Sequence, residues 1–265
     1  MIPLSDSDVQ RHGRPYMTIG IIAVNAVVFL YEFTLGDFGQ TRYFHEWGLV
    51  PAKLTQGLSE FGPFCDGQLF RNSFGNVVCQ GTVVRLEAPN PAWATMFSAM
   101  FVHGGLMHFG GNMLYLWVFG DNIEDRLGHW KYLSFYLTCG VAATWAQVAI
   151  NTDSQVPTIG ASGAIAGVLG AYLLLFPYSR INTLVLMYFI MVIRVPALFL
   201  LGFWFFLQNF FQGLGSLGAT DGGVAYWAHI GGFVAGILII ALYLKATGHS
   251  VWPSAQRFPW RWSRQ

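Results

Sequence analysis

Charged side chains are scarce in this 265-residue chain, because they make up only 10% of it and the net charge is +1. A soluble globular domain carries about 25% charged residues, and a protein that binds nucleic acid needs a basic face. The low charge therefore excludes a nucleic-acid partner and an ordinary soluble domain. In its place the chain is 54% hydrophobic. The sequence predicts an integral membrane protein, with the lipid bilayer as a partner.

Cysteines, and acidic residues within the predicted transmembrane spans, are also scarce. Of three cysteines, Cys65 and Cys79 lie in a polar stretch, where a disulfide is chemically permitted if that stretch faces an oxidising compartment. Two free thiols fit the sequence equally well. After Glu32, the predicted spans contain neither Asp nor Glu. A transporter or channel needs ionisable partners on several spans, so this scarcity disfavours that class.

Apolar runs separated by polar turns predict an all-α fold, a polytopic bundle of six transmembrane helices with a long interfacial first loop at 36–93. About 20 apolar residues cross the bilayer as a helix. An additional apolar stretch, 181–193, would cover roughly 20 Å as a helix against a core of about 30 Å, so we expect it to dip into one interface and return. The six predicted spans are 19–35, 94–119, 132–150, 162–176, 196–213 and 224–244.

The distribution of Lys and Arg predicts the topology. With the N-terminus in the cytoplasm, ten of the fourteen lie on the inner side and the other four lie in the first loop, as the positive-inside bias requires. We therefore expect a cytoplasmic segment at 1–18, a transmembrane domain at 19–245 and a cytoplasmic basic and aromatic tail at 246–265. A bacterial inner membrane is the expected location, with both termini cytoplasmic.

Ser162 and His229 are the candidate catalytic residues. This topology puts both at the outer ends of their helices, and Ser162 at a helix start offers a free backbone N–H. A serine hydroxyl becomes a nucleophile when a base such as histidine takes its proton. Contact between two small helical faces would bring the pair together. These faces consist of Gly163 and Gly167 on one helix, and Gly232 and Gly236 on the other.

His108 and Asn112 are four residues apart and so share a helical face, where they could complete an oxyanion hole with the Ser162 N–H. No acidic residue offers itself as the third member of a triad, which leaves a Ser-His dyad. A zinc protease is disfavoured because His103 and His108 lack the H-E-x-x-H spacing. The soluble-hydrolase pattern G-x-S-x-G is absent, since Ala164 occupies the last position.

Taken together, three segments resemble the rhomboid family of intramembrane serine proteases, of the bacterial type with a six-span core. The segments are 103–112 (HGGLMHFGGN), 160–163 (GASG) and 228–232 (AHIGG). Each is weak alone, but their order and placement on three apolar runs make the set specific. The resemblance covers about 94–244, and the Cys-containing first loop and the apolar stretch at 181–193 depart from it.

The resemblance implies a role for each of the candidate site residues. Ser162 would be the nucleophile and His229 its general base, while His108, Asn112 and the Ser162 N–H would bind the oxyanion. His103 would hold the first loop in place, a loop at 213–223 would cap the site, and the 196–213 helix would flank the entry path from lipid. The glycines Gly160, Gly163, Gly167, Gly232 and Gly236 would support the site.

The activity that the resemblance implies is cleavage of single-span membrane proteins near the outer face of the membrane. The substrate would be a transmembrane protein with small residues around the bond, and no metal or other cofactor would take part. The alternative is a catalytically inactive relative that binds membrane helices without cutting them.

Overall fold

The computed structural model describes residues 1–9, 13–72, 76–186, 190–217 and 224–251, and it is mostly helical. Most of the predicted tail at 246–265, and residues 218–223 of the predicted cap loop, lie outside the described residues. The helices are α1 Tyr16–Phe33, α2 Asp37–Trp47, α3 Pro51–Gln56, α4 Ala92–Ser98, α5 Leu106–Tyr115, α6 Asp121–Leu127, α7 His129–Ile150, α8 Ser162–Leu175, α9 Ala197–Phe205, α10 Phe211–Gly215 and α11 Tyr226–Ala246.

Four helical segments in the described part of the chain are long and apolar enough to cross a membrane: Tyr16–Phe33, His129–Ile150, Ala197–Gly215 and Tyr226–Ala246. Helix α8 is apolar but has only 14 residues. The predicted span at 94–119 is broken, because a turn at 102–105 separates the 3-10 turn Ala99–Phe101 from α5. From α5 the chain stays helical through the π turn Leu116–Gly120 into α6. The count of six spans therefore remains a prediction.

The fold is mostly helical, as predicted, but it is not all-α, because the described residues include three small antiparallel sheets. The expected interfacial dip at 181–193 is instead a hairpin of β6 Arg180–Leu186 and β7 Ile190–Pro196. Strand β1 Ile2–Asp6 adds to its edge, with Ile2 opposite Leu184. Both ends of the hairpin return to one end of the bundle, so this stretch does not act as a separate span. The edge strand β1 is at least 175 residues away from β6 in the sequence, as for Asp6 opposite Ile181, and so lies beyond the reach of a local pattern.

The first loop is folded, as expected for a segment of its length. It contains α2, α3 and two hairpin-like pairs, β2 Glu60–Cys65 with β5 Val83–Glu87 and β3 Gln68–Arg71 with β4 Val77–Gln80. Lys53 is buried there and its ammonium donates a hydrogen bond to the carbonyl of Ala88, 2.8 Å away. Burial lowers the pKa of this lysine, since the charged form loses hydration.

Glu124 of α6 fastens the start of α1. Its carboxylate accepts hydrogen bonds from the backbone N–H groups of Met17 and Thr18 at 2.8 Å and from the Thr18 hydroxyl at 2.7 Å. The first N–H groups of a helix have no partner within it, and the helix dipole favours negative charge there. Glu124 therefore anchors α1 against the α6–α7 corner, at the bundle end opposite Ser162.

Candidate active site

Ser162 is the first residue of α8, the central helix of the bundle. The extended segment that precedes Ser162 is hydrogen-bonded to the first loop, because Leu49 and Thr158 exchange two backbone hydrogen bonds of 3.0 and 2.7 Å. Gly160 then donates its N–H to the carbonyl of Ala99 at 2.8 Å. The first loop and the 3-10 turn Ala99–Phe101 therefore hold the segment that leads into α8.

Helices α8 and α11 touch through their glycines. A side chain at Gly232 would collide with the carbonyl oxygen of Gly163, and one at Gly236 would collide with that of Gly167. Gly167 is also closed on its other side by Cys139 of α7. The predicted contact between the two glycine faces is therefore present, at backbone distance. Small residues at such positions permit close helix approach in membranes.

The approach of α8 and α11 brings Ser162 and His229 into hydrogen-bond contact. The serine Oγ lies 2.7 Å from His229 Nε2. A nucleophile and a base within about 2.6–3.2 Å of each other are what an activated serine requires. Trp204 of α9 lies beside the imidazole with ring centroids 5.8 Å apart. The pair that the sequence predicted as a dyad is therefore brought together by the fold.

Asn209 is the site residue that the sequence reasoning missed. It lies on the π turn Phe206–Phe210 between α9 and α10, is 2% exposed, and places Oδ1 2.6 Å from His229 Nδ1. Its Nδ2 donates to the carbonyl of Trp204 at 2.8 Å. As the third member of a catalytic triad, only an Asp or Glu was expected from the sequence. An amide within an aromatic run (FWFFLQNFFQ) was the available signal.

His108 and Asn112 lie beside the serine's approach strand. A Cβ at Gly160 would be 2.6 Å from His108 Nε2 and 3.7 Å from Asn112 Nδ2. His108 Nδ1 accepts the Gly104 N–H at 3.4 Å, so the neutral ring carries its proton on Nε2, which faces the site. The buried Asn112 Nδ2 has no hydrogen-bond partner among the described residues. Two donors thus lie next to the backbone at Gly160, two residues before Ser162.

His103, which is predicted to hold the first loop in place, contacts α1 and α5. Its backbone N–H donates to the buried carboxylate of Glu32, with oxygens at 3.1 and 3.2 Å. Its ring lies against His108, with centroids 5.1 Å apart, and against Phe109 at 5.6 Å. These contacts fix the turn that starts α5. His103 therefore lies between α1 and the helix that carries His108.

A small cavity of about 30 Å³ opens beside Ser162. About 10–15 Å³ of such volume holds one water molecule, so the cavity has room for roughly two. Its walls are mostly small side chains and backbone, which limits what could enter. The lining includes Met100, Gly140, Ala143, Thr144, Gly163, Ala164 and Ala228.

Cys65 and Cys79 are joined in a disulfide in the structure, with Cα atoms 5.7 Å apart. The bond links β2 to β4, and so it ties the β3–β4 pair to the β2–β5 pair. Both lie in the first loop, on the side of the bundle that carries Ser162. Cys139, the remaining cysteine, is buried as a free thiol between α7 and α8.

Comparison with known proteins adds a family. A family model described as the Rhomboid domain matches residues 90–246, which is more than half of the chain. Over 149 residues the chain is 31% identical to "Rhomboid protein 1, mitochondrial" of Saccharomyces cerevisiae, which covers 54% of this chain and 40% of that protein. Over 108 residues it is 34% identical to the human "Presenilin-associated rhomboid-like protein, mitochondrial", which covers 38% and 28%.

A third relative is "Rhomboid-type serine protease 2" of Emericella nidulans, which is 30% identical over 159 residues, 58% of this chain and 27% of that protein. The chain matches less than half the length of each of these relatives. The predicted bacterial inner membrane is wrong on this comparison, because the yeast and human relatives are named as mitochondrial proteins and point to a mitochondrial membrane instead.

Proposed function

This chain belongs to the rhomboid family, and from that premise we propose that it is an intramembrane serine endopeptidase that cleaves transmembrane segments by a Ser162–His229 dyad. The observation that carries the proposal is the 2.7 Å contact between Ser162 Oγ and His229 Nε2, near a buried amide donor of Asn112 that has no hydrogen-bond partner in the described part of the chain. Nucleophile, base and oxyanion donors come from three different helices. A set of packing residues has no reason to place all three functions at one point.

The chemistry follows from the geometry. Ser162 Oγ attacks the scissile carbonyl carbon while its proton passes to His229 Nε2, and the carbonyl oxygen becomes an oxyanion. His229 then gives that proton to the leaving amine as the C–N bond breaks, leaving an acyl ester on Ser162. A water molecule, deprotonated by the same imidazole, hydrolyses the ester and restores the serine.

The oxyanion would be held by the Asn112 amide, the His108 Nε2–H and the Ser162 backbone N–H. Donors placed in advance where negative charge develops stabilise the transition state more than the substrate, which is the requirement for catalysis. The α8 dipole adds to this effect, because Ser162 lies at its positive end. His103 contributes indirectly by fixing the start of the helix that carries His108.

The substrate would be a single-span membrane protein that presents a small side chain next to the cut bond. The cavity beside Ser162 is too small for a large side chain. A transmembrane helix satisfies its own amides, so the segment must unwind before a carbonyl can reach the serine. Sequences that form weak helices would therefore be cut first.

The topology that suits this activity has six spans, of which the continuous α5–α6 segment and the short α8 are two. Hydrolysis needs water at the serine, so the end of the bundle with Ser162 and the first loop must face an aqueous compartment. The sheet of β1, β6 and β7 then lies at the opposite face. The transmembrane unit would run from about 19 to 245.

The test is cleavage of a labelled single-span substrate by the purified chain in detergent, beside Ser162→Ala and His229→Ala. We expect cleavage by the wild type and loss of at least about 10³-fold in each variant, the loss typical of a missing nucleophile or base. Equal cleavage by all three proteins would refute the dyad. Binding of the substrate without cleavage by the wild type would instead support the inactive-relative alternative.

A further inference from the structure

Helix α9 and its π turn supply a third group to the Ser162–His229 pair, and we propose that Asn209 is the positioning residue that fixes the proton of His229 on Nδ1. This inference rests on the proposed function for its catalytic meaning. It goes beyond the dyad by assigning the orientation of the base to one buried amide on a different helix.

The direction of each hydrogen bond follows from the chemistry of the partners. The Trp204 carbonyl can only accept, so it must face the Nδ2 group of Asn209. This places Oδ1, which can only accept, 2.6 Å from His229 Nδ1. Nδ1 must therefore carry the proton of the neutral imidazole. Nε2 then presents its lone pair to the Ser162 hydroxyl, as a general base requires.

The other tautomer would be penalised twice. With the proton on Nε2, the lone pair of Nδ1 would point at the Asn209 oxygen, and the serine would lose its acceptor. Asn209 is 2% exposed, so water cannot replace the lost bond. A buried polar group left without a partner costs about 1–3 kcal/mol. The arrangement therefore selects the catalytically competent form before substrate arrives.

The π turn is what aims Asn209. A π turn inserts an additional residue into a helix and rotates the following residues, and such turns are frequent at functional sites. In this turn Asn209 faces α11, whereas its neighbour Gln208 is exposed. The indole of Trp204 also lies along the imidazole. Trp204 of α9 and Asn209 of the following π turn thus both contact the imidazole of His229.

A neutral amide suits this position better than the carboxylate of a soluble triad. A charge on α9 would be costly within the membrane, and Asn209 avoids that cost while keeping the orienting bond. The accompanying loss is that an amide does not neutralise the imidazolium that forms during attack, as a carboxylate does. Asn209 therefore acts through geometry rather than through charge.

The first experiment measures the tautomer without requiring turnover. The full chain, labelled with ¹⁵N-histidine, is purified in detergent, and the His229 signals are identified by their loss in His229→Ala. We expect a protonated Nδ1 and a bare Nε2 in wild type and in Gln208→Ala, the matched control on the same turn. Asn209→Ala should give a mixture of tautomers. An unchanged Nδ1–H signal in Asn209→Ala would overturn the proposal, even if the chain proved not to be a protease.

The second experiment measures cleavage. Asn209→Ala should lower kcat roughly 10- to 100-fold with little change in KM, the range spanned by one buried hydrogen bond, while Gln208→Ala stays near wild type. Asn209→Asp should recover part of kcat. Its negative charge favours the imidazolium, so the acidic limb of the kcat/KM profile should move to higher pH, since the base works only when deprotonated. The other titratable group of the described residues that acts on His229 is His108, and it is unchanged in these variants.

A purely structural role for Asn209 predicts a different pattern. Asn209→Ala and Asn209→Asp would then lower the unfolding temperature and kcat together, with an unmoved acidic limb, and that result would overturn the proposal. Failure of the proposed function looks different again, since wild type, Gln208→Ala and Asn209→Ala would all lack cleavage while the nitrogen spectra still distinguished Asn209→Ala from the other two.

Discussion

Substitution of Gly160 by alanine should abolish most of the activity by displacing an oxyanion donor. A Cβ at this position would lie 2.6 Å from His108 Nε2 and 2.7 Å from His108 Cε1. Carbon normally approaches such atoms no closer than about 3.3 Å, so the imidazole must withdraw by roughly 0.7 Å or rotate. Loss of one oxyanion donor costs about 10²- to 10³-fold in kcat.

Strain contributes separately, because Gly160 has a φ of +119°, where an alanine costs about 1–3 kcal/mol. Two controls separate the effects. Gly110→Ala adds a methyl on the helix of His108 where nothing lies within 4 Å, and Gly57→Ala adds one at a φ of +70° with equally open space. We expect Gly110→Ala to keep wild-type kcat and Gly57→Ala to lower only the unfolding temperature.

The assay for Gly160→Ala is kcat on a labelled single-span substrate in detergent, together with the unfolding temperature of the same preparation. The reasoning predicts a kcat loss far larger than any loss of folded protein, and little change in KM, because the donors act on the oxyanion of the transition state. Wild-type kcat in a folded Gly160→Ala protein would refute the assignment of His108 to the oxyanion.

Three further predictions follow from the contacts. Gly232→Ala should lower both kcat and the unfolding temperature, because overpacking costs about 1–3 kcal/mol of stability. Gly202→Ala, whose added methyl meets nothing within 4 Å, should change neither. Equal behaviour of the two variants would contradict the glycine contact. Glu124→Ala should destabilise the fold by at least about 2 kcal/mol in detergent unfolding, since three donors lose a charged acceptor; an unchanged unfolding temperature would show that α1 is anchored elsewhere. Digestion without reductant should yield a peptide joining Cys65 to Cys79, and recovery of two alkylatable thiols would exclude the disulfide.

The serine, the histidine and their glycines were predictable as a set, because each is a local pattern that is weak alone and their order and placement on apolar runs make the combination specific. Gly163 and Gly232 mark faces that can approach to backbone distance, and a hydroxyl and an imidazole at the same depth complete the inference. The orientation of these groups depends only on helical periodicity and on the count of spans, both of which are readable from a sequence. Periodicity is therefore sufficient where a site is built from helix ends.

The strands were not predictable in this way. The 181–193 stretch has the hydropathy of a short helix, but the pairing of β6 with β7 and the pairing of β6 with the distant β1 make it part of a sheet. The break at 102–105 was missed although its sequence, Val-His-Gly-Gly, contains a glycine pair that marks a turn, and the carboxylate of Glu32 that anchors the break comes from another helix. Hydropathy indicates whether a segment avoids water. Whether it forms a strand or breaks a helix depends on which partner forms hydrogen bonds with its backbone N–H and C=O groups.

Asn209 shows the same limit at the level of a side chain. Its distance from Ser162 in the sequence carried no signal, and the resemblance assigned its helix only a place beside the entry path from lipid. The contact with His229 depends on one additional residue in a π turn, which changes the direction of the side chain without changing the hydropathy of the segment. Ser162 and His229 are held by backbone contact between α8 and α11, which fixes their distance but leaves the imidazole free to rotate and to exchange its proton. Control of that last freedom requires a polar group from a third helix, and Asn209 is the residue of α9–α10 that reaches it.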